Sequence, residues 1–141
     1  SIMMLRWLQK TGNRPVTLYQ GHYPVCSHAA SSRENCVVDG DTFYLGRMAI
    51  RILDIDAPET HPPRCALEAD LGDRATQRLS RLLSAGPFQL VREGRDTDRY
   101  GRKLRRVMRD GRSIGAVLVA EGLARKWTGK RGPWCPGGPS S

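Results

Sequence analysis

The stretch RILDIDAPET, residues 51–60, combines two kinds of residue that seldom share a strand. Ile52, Leu53 and Ile55 are bulky and apolar and read as β-strand. Arg51, Asp54, Asp56 and Glu59 lie among them, and carboxylates are poor strand formers and expensive to bury. Pro58 stops the strand and biases Ala57 toward extended geometry. Arg51 and Asp56 are five positions apart, so a straight strand would set them on opposite faces, ~16 Å from each other. They reach one site only if the strand curls or bulges.

The neighbours of this stretch supply the rest of a small sheet. CVVDGDTFYL, residues 36–45, reads as a pair of strand halves about Asp39-Gly40, and Gly46-Arg47 turns the chain into a second strand from Met48 to Ile55. THPPRC is a loop. A helix follows, roughly Leu71 to Ser84, with Leu71, Ala75, Leu79, Leu82 and Leu83 at three- and four-residue spacing and Gly86 closing it. PFQLVRE and KLRRVMR are strands around the charged turn GRDTDRYGR. Asp110-Gly111 marks another turn. Ser113 caps a short helix that runs to about Glu121 and is closed by Gly122. This order lacks repeated βαβ units and points to an α+β domain built on a small curled sheet. Residues 1–34 read as an irregular N-terminal extension, with VTLYQ a candidate strand. The body occupies 35–128, and 129–141 is a Gly/Pro-rich tail.

The chain has 141 residues, 39% hydrophobic and 6% aromatic, enough for one domain with a mostly aliphatic core. Its net charge is +9, carried mainly by Arg, whose planar fork matches phosphate oxygens in pairs. A polyanion partner follows: nucleic acid or an anionic surface. No run is long enough to span a membrane, and no secretory signal is visible. Cys26, Cys36, Cys65 and Cys135 form no C-x-x-C pair, which argues against a zinc knuckle. Three disulfide pairings exist. Cys26 with Cys36 would close a short loop, and Cys65 with Cys135 would tie the tail to the body. Either favours an oxidising, extracytoplasmic compartment, secreted or periplasmic, with four cytosolic thiols as the alternative.

Asp39, Asp41 and Asp56 stand where the chain changes direction, as the hard oxygen ligands of a divalent cation such as Ca²⁺ do. With Glu59 to handle a water and Arg51 and Arg102 to neutralise phosphate charge, the set suits phosphodiester hydrolysis. Spacing alone equally allows a plainer reading, in which Asp39 and Asp41 form a turn, Asp56 caps Thr60 or another backbone group and Arg51 pairs with a surface acid.

VVDGDTFYL, RILDIDAPET, DTDRYGRKL and VAEGLARKW, in this order, resemble the staphylococcal nuclease-like (thermonuclease) family over about Cys36 to Trp127. That resemblance implies an OB-type five-stranded barrel with about three helices and a Ca²⁺-dependent nuclease that cuts DNA and RNA. By position, Asp41, Asp56 and the carbonyl of Ala57 look like the Ca²⁺ ligands, and Glu59 like the residue acting on the attacking water. Arg51 and Arg102 resemble the phosphate-binding arginines, with Arg99 and Tyr100 beside the substrate and Asp39 and Thr42 supporting the metal turn. The tyrosines that flank the base in the best-known member are absent. Trp127 and Trp134 stand nearby, either to stack on bases or to pack the tail. Arg105, Arg106 and Arg109 are candidates for phosphate contact or for a solvated face, Arg64 for a charge beside the site, and His22, His28 and His61 for the surface. The expected protein is a monomer acting on DNA or RNA. The rival is a non-catalytic nucleic-acid- or protein-binding module on the same barrel.

Overall fold

The structure, a computed structural model, describes residues 2–8, 15–27 and 34–136. His28 and residues 137–141 of the tail lie outside the described residues. In chain order the elements are β1 (Ile2–Leu8), β2 (Pro15–Gly21), β3 (Cys36–Asp39), β4 (Thr42–Leu45), β5 (Met48–Ile52), β6 (Ile55–Asp56), α1 (Ala66–Ser84), β7 (Gln89–Val91), β8 (Lys103–Arg109), β9 (Arg112–Ser113), α2 (Ile114–Ala120) and β10 (Arg125–Lys126). Among the described residues, no helix is long and apolar enough to cross a membrane.

The central sheet is mixed and six-stranded, in the order β3-β4-β5-β8-β7 with β9 on β8. Its one parallel pair, β5 with β8, is joined by a connection that contains α1 and β7. The ends of this order are bridged to β2 and to the segment that follows it. Tyr19 pairs with Phe88 at one end and Val25 with Val37 at the other. The architecture is therefore α+β, with a sheet of more strands than the five expected. Two helices, not about three, occur among the described residues. Beyond α2, Gly122 turns at φ 77° and the chain runs extended into β10.

Residues 1–34 are not irregular throughout, since β1 and β2 form an antiparallel pair with Leu5 opposite Leu18. The alternation in VTLYQ was one signal of it. Helix α1 begins five residues before the expected Leu71, because the Cys65 sulfur accepts the Glu68 N–H at its N-terminus. The strand expected over 48–55 breaks at Leu53-Asp54. Asp54 is pulled aside there by the Ser113 hydroxyl, which donates to its Oδ2 at 2.6 Å, and β6 then pairs with β10 instead of continuing β5.

The core is mostly aliphatic: Ile50, Ile52, Ile55, Leu79, Leu83, Val107 and Leu118 are fully or nearly fully buried. An aromatic trio sits within it. Phe43 packs edge-on against Tyr23 at 6.0 Å and against Phe88 at 6.2 Å, arrangements that suit ring quadrupoles. The α1 face buries Gly72, Ala75, Thr76, Leu79 and Leu83, and it supports the β3–β4 turn. The Cys26 and Cys36 sulfurs stand at disulfide distance with Cα atoms 4.8 Å apart, and those of Cys65 and Cys135 do so with Cα atoms 6.0 Å apart.

Candidate active site

The site begins at the β3–β4 turn. A Cβ on Gly40 would lie 2.8 Å from the Cβ atoms of both Ala57 and Ala75, so only glycine lets the turn press on α1 and the end of β6. Asp41, on that turn, is fully buried. Its Oδ2 accepts the Ala57 N–H at 3.0 Å and its Oδ1 accepts the Thr42 hydroxyl at 3.1 Å. The β4–β5 ladder pairs Thr42 with Arg51, which brings Arg51 Nη2 to 3.6 Å from Asp41 Oδ2. Arg51 Nη1 also donates to the carbonyls of Ile52 and Ile55, the latter at 3.0 Å. The break after Ile52 is what lets the side chain reach back along its own strand. It also removes the separation that a straight strand would impose between Arg51 and Asp56.

The two acids of the turn differ in charge. Burial, and then the neighbouring Asp41 carboxylate, push Asp39 up to about 8. Burial works against Asp41 as well, but the Arg51 guanidinium, the hydrogen bond with Asp39 and Arg131 outweigh it and hold that carboxyl low. At neutral pH the turn thus presents one ionised carboxylate braced by a neutral one.

Arg102 arrives from the turn before β8. Asp98 shapes that turn, accepting the N–H groups of Tyr100 and Arg102 at 2.9 and 3.0 Å and the Arg102 Nε–H at 2.6 Å. Arg102 Nη1 reaches the Thr42 hydroxyl oxygen at 3.5 Å, one residue from Asp41. Tyr100 is 67% exposed and lies beneath two guanidiniums, those of Arg99 at 4.9 Å and Arg102 at 5.3 Å. A cleft of about 770 Å³ is lined by Arg51, Arg99, Tyr100, Arg102, Trp127 and Arg131, among others. Trp127 faces Arg51 at 5.3 Å and is 40% exposed, whereas Trp134 is buried beneath Arg125 at 3.9 Å.

Asp56 is buried at the end of β6 and meets the tail. Its Oδ2 accepts the Gly132 N–H at 2.9 Å and its Oδ1 the Arg131 Nη1–H at 3.1 Å. The same Nη1 lies 3.3 Å from the Ala57 carbonyl oxygen and 3.7 Å from Asp41 Oδ2. Three hard oxygens, two of them from carboxylates, thereby converge on one cationic group. This donor set fits a divalent cation of the oxygen-seeking kind.

Glu59 stands apart from the cleft lining. Its Oε1 accepts the N–H groups of Thr60 and His61, each at 3.0 Å. Its own N–H donates at 3.2 Å to Glu68, which in turn binds Arg64. Asp39, Glu59 and His61 bring ligand-type atoms within 4.8 Å of one another, a second grouping next to the first. His22 and His61 are exposed.

Asp41, Asp56, Ala57 and Arg51 are therefore gathered in one place, with Arg102 joined to them through Thr42. Arg51 pairs with a buried acid rather than a surface one, and Asp56 serves the tail rather than Thr60. Arg105, Arg106 and Arg109 engage the protein itself. Asp96 holds Arg105 at 2.7 Å, Glu93 holds Arg106 at 2.7 Å and the Gly86 carbonyl holds Arg109 at 2.7 Å. Arg131 and the Asp39–Glu59–His61 grouping went unread in the sequence. An arginine in a Gly/Pro tail carries no local signal of such a role.

A model of the family described as staphylococcal nuclease homologue matches residues 49–133. Over 93 residues the chain is 41% identical to the SPbeta prophage-derived endonuclease YokF of Bacillus subtilis (strain 168), covering 62% of this chain and 31% of that protein. It is 39% identical to the endonuclease YncB of the same organism, again over 93 residues, covering 62% of this chain and 44% of that protein. The chain spans less than half the length of these curated relatives.

Proposed function

The chain belongs to the staphylococcal nuclease family, and from that premise we propose that it is a Ca²⁺-dependent nuclease hydrolysing phosphodiester bonds of DNA and RNA with little sequence preference. The observation that carries this reading is the convergence of Asp41, Asp56 and the Ala57 carbonyl beside Arg51, at a cleft that Arg102 also lines. The similarity to proteins named endonucleases supports the reaction class.

In this scheme Asp41, Asp56 and the Ala57 carbonyl hold the Ca²⁺, which supplies Lewis-acid polarisation of a phosphate oxygen when bound. Arg51 and Arg102 grip the non-bridging oxygens with paired N–H groups and stabilise the charge that builds on them. Glu59 accepts a proton from the water whose oxygen attacks phosphorus. The P–O bond to the leaving oxygen breaks, and that oxygen takes up a proton. Hydrogen bonds from the Thr60 and His61 N–H groups orient the Glu59 carboxylate. Tyr100 and Arg99 flank the substrate, and Trp127 offers an exposed ring to a base. Backbone recognition of this kind gives affinity that falls steeply with salt, as the charge of +9 also suggests. The protein works as a monomer in an extracytoplasmic, oxidising compartment where Cys26–Cys36 and Cys65–Cys135 are bonded.

Glu59→Gln provides the test. Turnover of single-stranded DNA should fall by about 10²–10⁴, while anisotropy shows that a labelled oligonucleotide still binds. Full turnover removes Glu59 from the mechanism. Binding without cleavage by the unaltered protein identifies a non-catalytic module instead.

A further inference from the structure

The proposed chemistry leaves one residue of the site without a task. Arg131 Nη1 sits among Asp56 Oδ1, the Ala57 carbonyl and Asp41 Oδ2, at 3.1, 3.3 and 3.7 Å. These are the same three oxygens assigned above to the cation. Opposite charge at this range favours the ionised guanidinium, and Asp41 and Asp56 hold it so against the effect of burial.

The tail is built to keep it there. Gly132 donates its N–H to Asp56 Oδ2 at 2.9 Å, so consecutive residues use both oxygens of one carboxylate. Arg125 Nη1 donates to the Pro133 carbonyl, and its guanidinium covers the Trp134 ring at 3.9 Å. Trp134 is only 8% exposed. Cys135 then meets Cys65, the residue that caps α1, with sulfurs at disulfide distance. Every residue from 131 to 135 is thus fastened to the body, and the fastening ends on the element that follows the loop carrying Glu59. A tethered group competes at a high effective concentration, set by a tether of only four residues.

We infer that Arg131 is a built-in competitor for the divalent-cation site and sets its affinity. The inference rests on the reading that Asp41, Asp56 and Ala57 hold a cation. Two positive groups cannot share these oxygens, so cation binding requires Arg131 to withdraw. The apparent affinity is reduced by the fraction of molecules in which the side chain is already withdrawn. Once withdrawn, the guanidinium has a nearby place, because Arg131 also lines the cleft with Arg51 and Arg102. The site would thereby exchange a resident cation for a metal while the released arginine joins the phosphate-binding wall.

Calorimetric titration of Ca²⁺ into the full chain tests this, comparing the unaltered protein with Arg131→Gln, Arg131→Met and Lys130→Gln. Lys130 is exposed and one residue away, so its variant removes the same charge without touching the three oxygens. Circular dichroism confirms folding, and two Arg131 variants guard against loss of one. The expected result is Ca²⁺ affinity about tenfold or more higher for an Arg131 variant, with Lys130→Gln near the unaltered protein. In the unaltered protein, saturating Ca²⁺ should also move the Arg131 Nε–H resonance. Equal affinity in all proteins, an equal gain from Lys130→Gln, or an unmoved resonance would overturn the inference and leave the cation reading standing. No Ca²⁺ binding by any of them would overturn both.

Discussion

The guanidinium of Arg51 lies 3.6 Å from the carboxylate of Asp41, because the β4–β5 register sets Arg51 opposite Thr42, the residue after Asp41. A residue proposed to hold phosphate and a residue proposed to hold metal are thus braced against each other. Both are buried, so neither charge is left unpaired in the core. Removing one partner exposes the other to the full penalty of burial, which is why substitutions here are expected to disturb folding and reaction together.

Arg102 offers a cleaner separation of the two. It is part-exposed, and its charge is met by Asp98 at 2.6 Å. Arg102→Lys keeps the charge but replaces a planar fork with a single ammonium. The rate of DNA cleavage at saturating substrate should fall by about 10²–10³, with little change in the denaturant midpoint. A rate within a few-fold of the unaltered protein would remove Arg102 from the reacting centre.

Glu68 carries the pH dependence of the loop that positions Glu59. It is fully buried, accepts the Glu59 N–H at 3.2 Å and binds Arg64 Nη2 at 2.6 Å. The Arg64 guanidinium holds its carboxyl down to about 2, against the effect of burial. The folded value lies below the ordinary one of 4.5. Its stabilising contribution is therefore complete above about pH 4.5 and is lost as the pH falls through about 2. Glu68→Gln should cost about 2 kcal/mol at neutral pH by urea unfolding, and the difference from the unaltered protein should shrink at about pH 3. A difference constant across that range would show that ionisation of Glu68 contributes nothing.

Gly72 sets how closely α1 approaches the same loop. A Cβ there would overlap Thr60 Cγ2 and come to 3.3 Å from the Pro58 carbonyl. Gly72→Ala should cost about 1–3 kcal/mol and lower activity by moving Glu59. Adding Thr60→Ser removes the obstructing methyl and keeps a hydroxyl for His61. The pair should recover most of both losses, a coupling that independent sites would not show. Simple additivity in the double variant would contradict the account.

Several elements were legible because their signals are local. The alternation and the Asp-Gly turn in VVDGDTFYL mark β3 and β4, KLRRVMR coincides with β8, and Ser113 caps α2 as its hydroxyl chemistry predicts. Other features depend on partners far along the chain. The break that separates β5 from β6 is made by Ser113, 59 residues away, and no pattern in RILDIDAPET announces it. Helix α1 starts on a cysteine, outside the usual capping residues, and its buried Glu68 interrupts the apolar face that located the helix. The gathering of Asp41, Arg51 and Arg102 was read through family resemblance, since spacing alone left a bland alternative standing. Arg131 was beyond both, because it lies in a tail and meets Asp56 across 75 residues.

The central claim is that Asp41, Asp56 and the Ala57 carbonyl hold a divalent cation required for phosphodiester cleavage. Its most direct test is cleavage of single-stranded DNA by the full chain in Ca²⁺ and then in excess chelator. Cleavage in Ca²⁺ that stops with chelator and returns when Ca²⁺ is restored is the predicted result, and Asp41→Asn should lack it throughout. Undiminished cleavage in chelator would contradict the claim.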